Sequence, residues 1–112
     1  MISQNDFLTF NRTVIVGLRL DEPASDVAVA LSMVSSLTDR IIPDDVIAIG
    51  ELGLSGECRA VSNIESRIHE AARLGFTECV LPKSCLKQIT SPPGSMRLIG
   101  VKSINEALSL IR

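Results

Sequence analysis

The chain has 112 residues, enough for one compact domain, with a net charge of −2 at neutral pH and only three aromatic residues, all phenylalanine. This balance excludes a domain that wraps DNA through a general basic excess, and the scarcity of aromatic faces excludes a platform that stacks single-stranded bases. Any nucleic-acid contact therefore has to come from a local patch or a neighbouring domain.

The composition, 46% hydrophobic and 21% charged, is that of a globular protein with an aliphatic core. Cys58, Cys79 and Cys85 are an odd set of thiols without C-x-x-C spacing, which reads as reduced, cytoplasmic cysteine and suggests no metal site. No secretion signal is recognisable in the first residues, and no apolar run reaches membrane-spanning length.

Residues 1–6 read as a loose end. From Phe7 the pattern turns β-like, and residues 12–18 are rich in β-branched side chains, which predicts a strand. Asp21-Glu22-Pro23 then opens a helix over residues 23–37, with proline suited to the first turn and the acids to its positive end. Val27, Leu31 and Val34 form an apolar stripe that Ala30, Met33 and Leu37 widen, so this helix is expected to bury more than one side. Thr38-Asp39-Arg40 ends it. Residues 46–49 are a short, wholly apolar run that predicts a central, buried strand.

Residues 50–61 read as a hairpin with its turn at Ser55-Gly56. The following helix opens at Ser62 and carries Ile64, Ile68, Ala71 and Ala72 on one face, with Gly75 placed as a left-handed C-terminal cap. Residues 78–81 predict a strand ended by Pro82, residues 83–88 one helical turn, residues 90–95 a loop, and residues 96–101 a further strand. A last helix buries Ile104, Ala107, Leu108 and Ile111. Ser62/Glu65 and Ser103/Glu106 both have capping-box spacing. The order β-α-β-β-α-β-turn-β-α predicts an α/β domain of two or three layers.

Gly50, Gly53 and Gly56 match neither G-x-G-x-x-G nor a P-loop, so they read as hairpin geometry rather than a phosphate cradle. His69 is the only histidine and lies on the charged flank of its helix, where a surface role is expected; no Gly-x-Ser-x-Gly elbow occurs.

Four segments form an ordered series: residues 21–31 (Asp-Glu-Pro-Ala-Ser-Asp-Val-Ala-Val-Ala-Leu), 50–57 (Gly-Glu-Leu-Gly-Leu-Ser-Gly-Glu), 64–76 (Ile-Glu-Ser-Arg-Ile-His-Glu-Ala-Ala-Arg-Leu-Gly-Phe) and 80–83 (Val-Leu-Pro-Lys). Together they resemble the C-terminal, Lon-protease-like domain of the bacterial RadA (Sms) DNA-repair ATPases. The resemblance covers residues 7–112 and implies an α/β (α+β) fold of the ribosomal protein S5 domain 2 type, a mixed sheet packed with helices. In that family the domain is preceded by further strands and a helix, a RecA-like ATPase and a zinc motif, so the chain is expected to be a fragment. ATP with magnesium, and zinc, would belong to those upstream domains and none to this segment. The missing part would leave surface that favours pairing with another copy.

Lon-type peptidases join a serine nucleophile to a lysine base. On the resemblance, the nucleophile position here is Ala24, which has no hydroxyl, and the lysine position is Glu65, which the capping-box spacing already explains. Ser25 is one residue away, but a single step along a helix turns a side chain by about 100°. The segment is therefore expected not to be an enzyme. The resemblance implies a scaffold and oligomerisation module of a hexameric, DNA-dependent ATPase in recombinational repair, contributing to DNA contact. Arg19, Arg59, Arg67 and Arg73 are the basic residues nearest the family motifs and the candidate DNA or subunit contacts. The alternatives are a degenerate Ser-Lys peptidase and the Lon-like domain of a ComM-type, magnesium-chelatase-related protein, which shares the Gly-Glu-Leu hairpin.

Overall fold

The computed structural model of the chain describes residues 23–110. The loose end at 1–6, the strand predicted at 12–18, Arg19 and Ile111 lie outside the described residues. Pro23–Ser25 forms a 3-10 turn that leads into helix α1, Asp26–Thr38. The proline ring holds φ at a helical value and needs no amide partner there. Asp39 stops α1 in a left-handed conformation at φ 56°, which a short polar side chain tolerates better than a bulky one.

The remaining elements are strand β1, Val46–Ala48; the hairpin strands β2, Glu51–Leu52, and β3, Cys58–Arg59; helix α2, Ile64–Arg73; strand β4, Glu78–Pro82; a 3-10 segment, Lys83–Gln88; strand β5, Arg97–Val101; and helix α3, Ile104–Leu108. β1, β4 and β5 form a parallel sheet in the order β1-β4-β5, while β2 and β3 pair antiparallel as a separate ribbon. An isolated antiparallel bridge, Glu57 with Ser103, joins the ribbon to the segment that follows β5.

Alternation along the strands builds two cores. Ile47, Ile49, Cys79 and Leu81 point to the side of α2, where they meet Ile64, Ile68, Ala71, Phe76 and Cys85. Ala48, Val80 and Val101 point to the opposite side and meet Val27, Ala28 and Leu31 of α1 and Ala107 of α3. The domain is thus a three-layer sandwich, with the period of two in the strands setting which helix each residue meets.

Within the run at 46–49, Ile47, Ala48 and Ile49 are buried and Val46 is half-buried; among the described residues β1 pairs with β4, which lies between β1 and β5. Two expectations are corrected. Met33 and Leu37 do not widen the buried side of α1; they are 56% and 82% exposed. The buried arc is Val27, Ala28, Leu31 and Ser32, and at about 100° per residue Met33 and Leu37 fall on the opposite face. The Ser62/Glu65 capping box does not form. Asn63 occupies the N-cap of α2 at φ 57° without a side-chain capping bond.

The other end of α2 follows its sequence signal. Gly75 lies at φ 101°, its N–H bonds Ala72 O at 3.1 Å, and the Phe76 N–H bonds Ala71 O at 3.1 Å. This is a Schellman closure, which needs a left-handed residue at that point.

Candidate functional site

The hairpin base is bonded to the start of α1. Gly50 N–H donates to Ala24 O at 2.8 Å, Val27 N–H donates to Gly50 O at 3.1 Å, and the Leu52 N–H donates to Asp26 Oδ2 at 3.1 Å. A Cβ on Gly50 would lie 2.9 Å from Val27 Cγ2 and 3.2 Å from Pro82 Cγ, so this approach requires glycine. Ala24 is 3% exposed and Ser25 0% exposed. Ala24 packs in the same core cluster as Ile64, at the start of α2.

Glu65 follows Ile64 and faces the loop after the 3-10 segment. Its carboxylate accepts from the Ser91 N–H at 2.6 Å and from the Thr90 hydroxyl at 3.4 and 3.5 Å. Its structural role is therefore a long-range tie and not a cap. His69, exposed as the sequence implied, places Nε2 2.7 Å from Ser91 O. Because a carbonyl only accepts, that nitrogen carries a proton.

The arginine candidates are engaged separately. Arg59 pairs with Glu57 at 3.2 Å. Glu57 in turn accepts from the Ser55 N–H at 3.0 Å, and its carboxyl is held below the usual range first by hydrogen bonds from its own N–H and that of Ser55 and then by Arg59. Arg73 forms a two-point pair with Glu70, with Nε 3.0 Å from Oε2, which lowers the Glu70 carboxyl and raises the Arg73 guanidinium. The Arg67 Nε donates to Ser62 O at 3.0 Å. Arg67 and Arg73 are six residues apart on α2, about 240° around it, so they occupy different faces.

A different set of cations converges. Lys83, Lys87 and Lys102 line a shallow hollow of about 460 Å³ together with Cys58, Ser84, Leu86 and Val101. Among the described residues none of these three ammonium groups has an ion-pair partner. Two features build the hollow. The Cys58 N–H donates to Lys102 O at 2.8 Å and the Ile104 N–H to Gly56 O at 2.8 Å, which draws the hairpin against the end of β5. Gly100 lets the 3-10 segment lie on β5, since a Cβ there would stand 2.7 Å from Leu86 Cδ1 and 3.1 Å from Lys83 Cα. The lysines are 19 positions apart at the extremes, and only the parallel β4-to-β5 crossover brings them together. No linear motif announces this cluster.

Burial pushes the Cys58 thiol up, and the Glu106 carboxylate adds to the effect. Cys79, fully enclosed, is pushed up to about 12 by desolvation and then by Cys85. Both are poor nucleophiles at neutral pH. Among the described residues no group of three or more His, Cys, Asp or Glu could hold a metal ion, and no helix is long and apolar enough to cross a membrane.

The sequence profile of the Lon protease (S16) C-terminal proteolytic domain matches residues 17–111. This chain belongs to that family. Within it, the chain is 47% identical over 95 residues to the DNA repair protein RadA of Streptococcus pneumoniae, covering 85% of this chain and 22% of that protein. It is 38% identical over 111 residues to RadA of Mycolicibacterium smegmatis, 99% of this chain and 22% of the relative. Identity to RadA of Escherichia coli is 40% over 97 residues, 87% of this chain and 21% of the relative. The chain thus spans about a fifth of the length of the RadA proteins it matches. The four ordered segments all fall within the matched residues, so the likeness to the Lon-like domain of RadA extends through the whole described fold.

Proposed function

We propose that this domain is a non-catalytic scaffold module of a RadA-like DNA-repair protein, that it helps hold a ring of subunits together, and that it lays Lys83, Lys87 and Lys102 against DNA phosphates. The observation that carries the reading is the lysine hollow. Three ammonium groups without carboxylate partners share one open surface of a domain whose net charge is −2. Phosphate contact by such a cluster gains from counterion release. Arg59 and Arg73 are already neutralised by Glu57 and Glu70 and form the competing contact set with Arg67.

The peptidase alternative is less well supported. Ala24 offers no hydroxyl, Ser25 is 0% exposed, and Glu65 is committed to Thr90 and Ser91. A nucleophile has to reach both a substrate carbonyl and a base, and Ser25 has no route to solvent.

The test is DNA affinity as a function of salt. The Lys83→Ala/Lys87→Ala/Lys102→Ala variant should flatten the slope of log K against log salt by roughly 2 to 3, close to one per lost phosphate contact. Arg59→Ala/Arg67→Ala should leave the slope within about 0.5 of the wild type. The reverse pattern would move the contact to the arginines, and a wild type with no salt-sensitive binding would remove the DNA part of the reading. Light scattering tests the scaffold part, which a strictly monomeric parent protein would eliminate.

A further inference from the structure

We infer that Glu65 and His69 act together as a lock that fastens the loop of residues 90–95 to α2. The two side chains stand four residues apart on α2 and so project from the same helical face. They grip both main-chain groups of one residue. Glu65 accepts the Ser91 N–H at 2.6 Å, and His69 Nε2 donates to the Ser91 O at 2.7 Å. The Thr90 hydroxyl adds a longer bond to the same carboxylate. A charged acceptor on an N–H makes a shorter and stronger bond than a neutral one.

Among the described residues little else holds the loop. Ile89 packs against the core before it and Met96 is buried after it, while no side chain between them enters either core cluster. The hydrogen bond from the Met96 N–H to Pro93 O, at 3.2 Å, closes a turn at the far end of the loop and does not reach α2. Ordering the six residues Thr90 to Ser95 costs conformational entropy. Pro92 and Pro93 follow Ser91 directly, and their rings fix φ. Holding both sides of Ser91 therefore aims the stiff Pro-Pro pair as well. One two-point grip sets the course of the crossover that carries Lys83 and Lys87 from β4 into β5.

The lock is tested by amide hydrogen exchange followed by NMR on the whole chain. In Glu65→Ala the Ser91 amide should exchange at least tenfold faster, while the Ile68 and Ala71 amides of α2 keep their wild-type rates. His69→Ala should speed Ser91 exchange severalfold. His69→Gln should restore protection, because its side-chain amide can donate to the same carbonyl. The Glu65→Ala/His69→Ala pair should show coupling rather than simple addition at Ser91. An unchanged Ser91 rate in Glu65→Ala, or an acceleration spread evenly over α2, would overturn the lock. Should Glu65→Ala not fold, the His69→Ala and His69→Gln pair decides alone, with equal Ser91 rates in the two variants refuting the grip. The readout contains no DNA, so its result is independent of the phosphate-contact reading.

Discussion

Residues 62–65 and residues 103–106 share the Ser-x-x-Glu spacing, yet the helices they open begin in different ways. At Ser103 the serine half of the pattern forms, while the glutamate returns to the N–H one residue before the cap. The Ser103 Oγ accepts from the Glu106 N–H at 3.3 Å, and Glu106 Oε2 reaches back to the Lys102 N–H at 3.3 Å. At Ser62 it is overridden, with Asn63 taking the cap in a left-handed conformation and Glu65 turned to Ser91. The difference follows from what else holds each helix. α2 has ten residues and seats Ile64, Ile68 and Ala71 in the core, whereas α3 has five residues and only Ala107 fully enclosed. A helix docked by a broad apolar face can spare its cap residues for other tasks, and a helix of little more than one turn cannot.

The largest test of that comparison is in the core. Ile68 is completely buried on the α2 side of the sheet. Ile68→Ala should cost about 2–5 kcal/mol in urea unfolding, through lost transfer energy and a residual cavity. Leu108→Ala on the half-buried flank of α3 should cost about 1 kcal/mol, since less apolar area leaves water there. Comparable losses at the two sites would break the claim that packing holds α2 and capping holds α3.

The next effect concerns Asn63, whose φ of 57° lies in the left-handed region. Asn63→Val should destabilise by about 1–2 kcal/mol, because a β-branched residue clashes in that conformation. Asn63→Gly should stay within about 0.5 kcal/mol of the wild type, since glycine adopts the same backbone freely. Equal losses for the two substitutions would mean that the Asn63 side chain, and not its backbone, holds the start of α2.

Acid gives a smaller and local effect in the hairpin. The Glu57 carboxyl is lowered from the ordinary 4.5, chiefly by main-chain N–H bonds. A group depressed on folding contributes stability that is fully present above its unfolded pKa and is lost as pH falls through the lower folded value. Exchange of the Ser55 amide should therefore rise as pH drops below 4.5, beyond the intrinsic pH dependence of exchange, and Glu57→Gln should abolish that excess. An excess that survives in Glu57→Gln would assign the effect to another carboxylate.

Much of the fold was legible because its signals are local. Gly75 needs only its own backbone to end α2, and Gly56 at φ 82° turns the hairpin where the sequence placed it. What escaped depends on residues far apart in sequence. Glu65 could be assigned to a capping box because nothing near it announces Ser91, 26 positions away. The apolar Met33 and Leu37 read as core because hydropathy does not say which side of α1 meets the sheet. The lysine hollow was invisible for the same reason, since Lys83 and Lys102 meet only after β4 and β5 pair in parallel. The family motifs drew notice to arginines instead, and their carboxylate partners become apparent only once α2 and the hairpin are built.

The smallest effects bear most directly on the shared Ser-x-x-Glu spacing. Ser103→Ala removes an acceptor that the Glu106 N–H uses, in a helix with few other supports, and should cost about 1 kcal/mol. Ser62→Ala removes a hydroxyl from an exposed residue whose recorded partner, Arg67, bonds its main-chain carbonyl at 3.0 Å and not its side chain. That substitution should lie within about 0.5 kcal/mol of the wild type, as surface changes away from a cap do. Denaturant midpoints with unchanged m-values separate the two cases. If Ser62→Ala instead cost as much as Ser103→Ala, the capping box would exist in solution at Ser62. Glu65 would then divide its carboxylate between its own helix and Ser91, and the Ser91 amide in the wild type should show correspondingly weak protection.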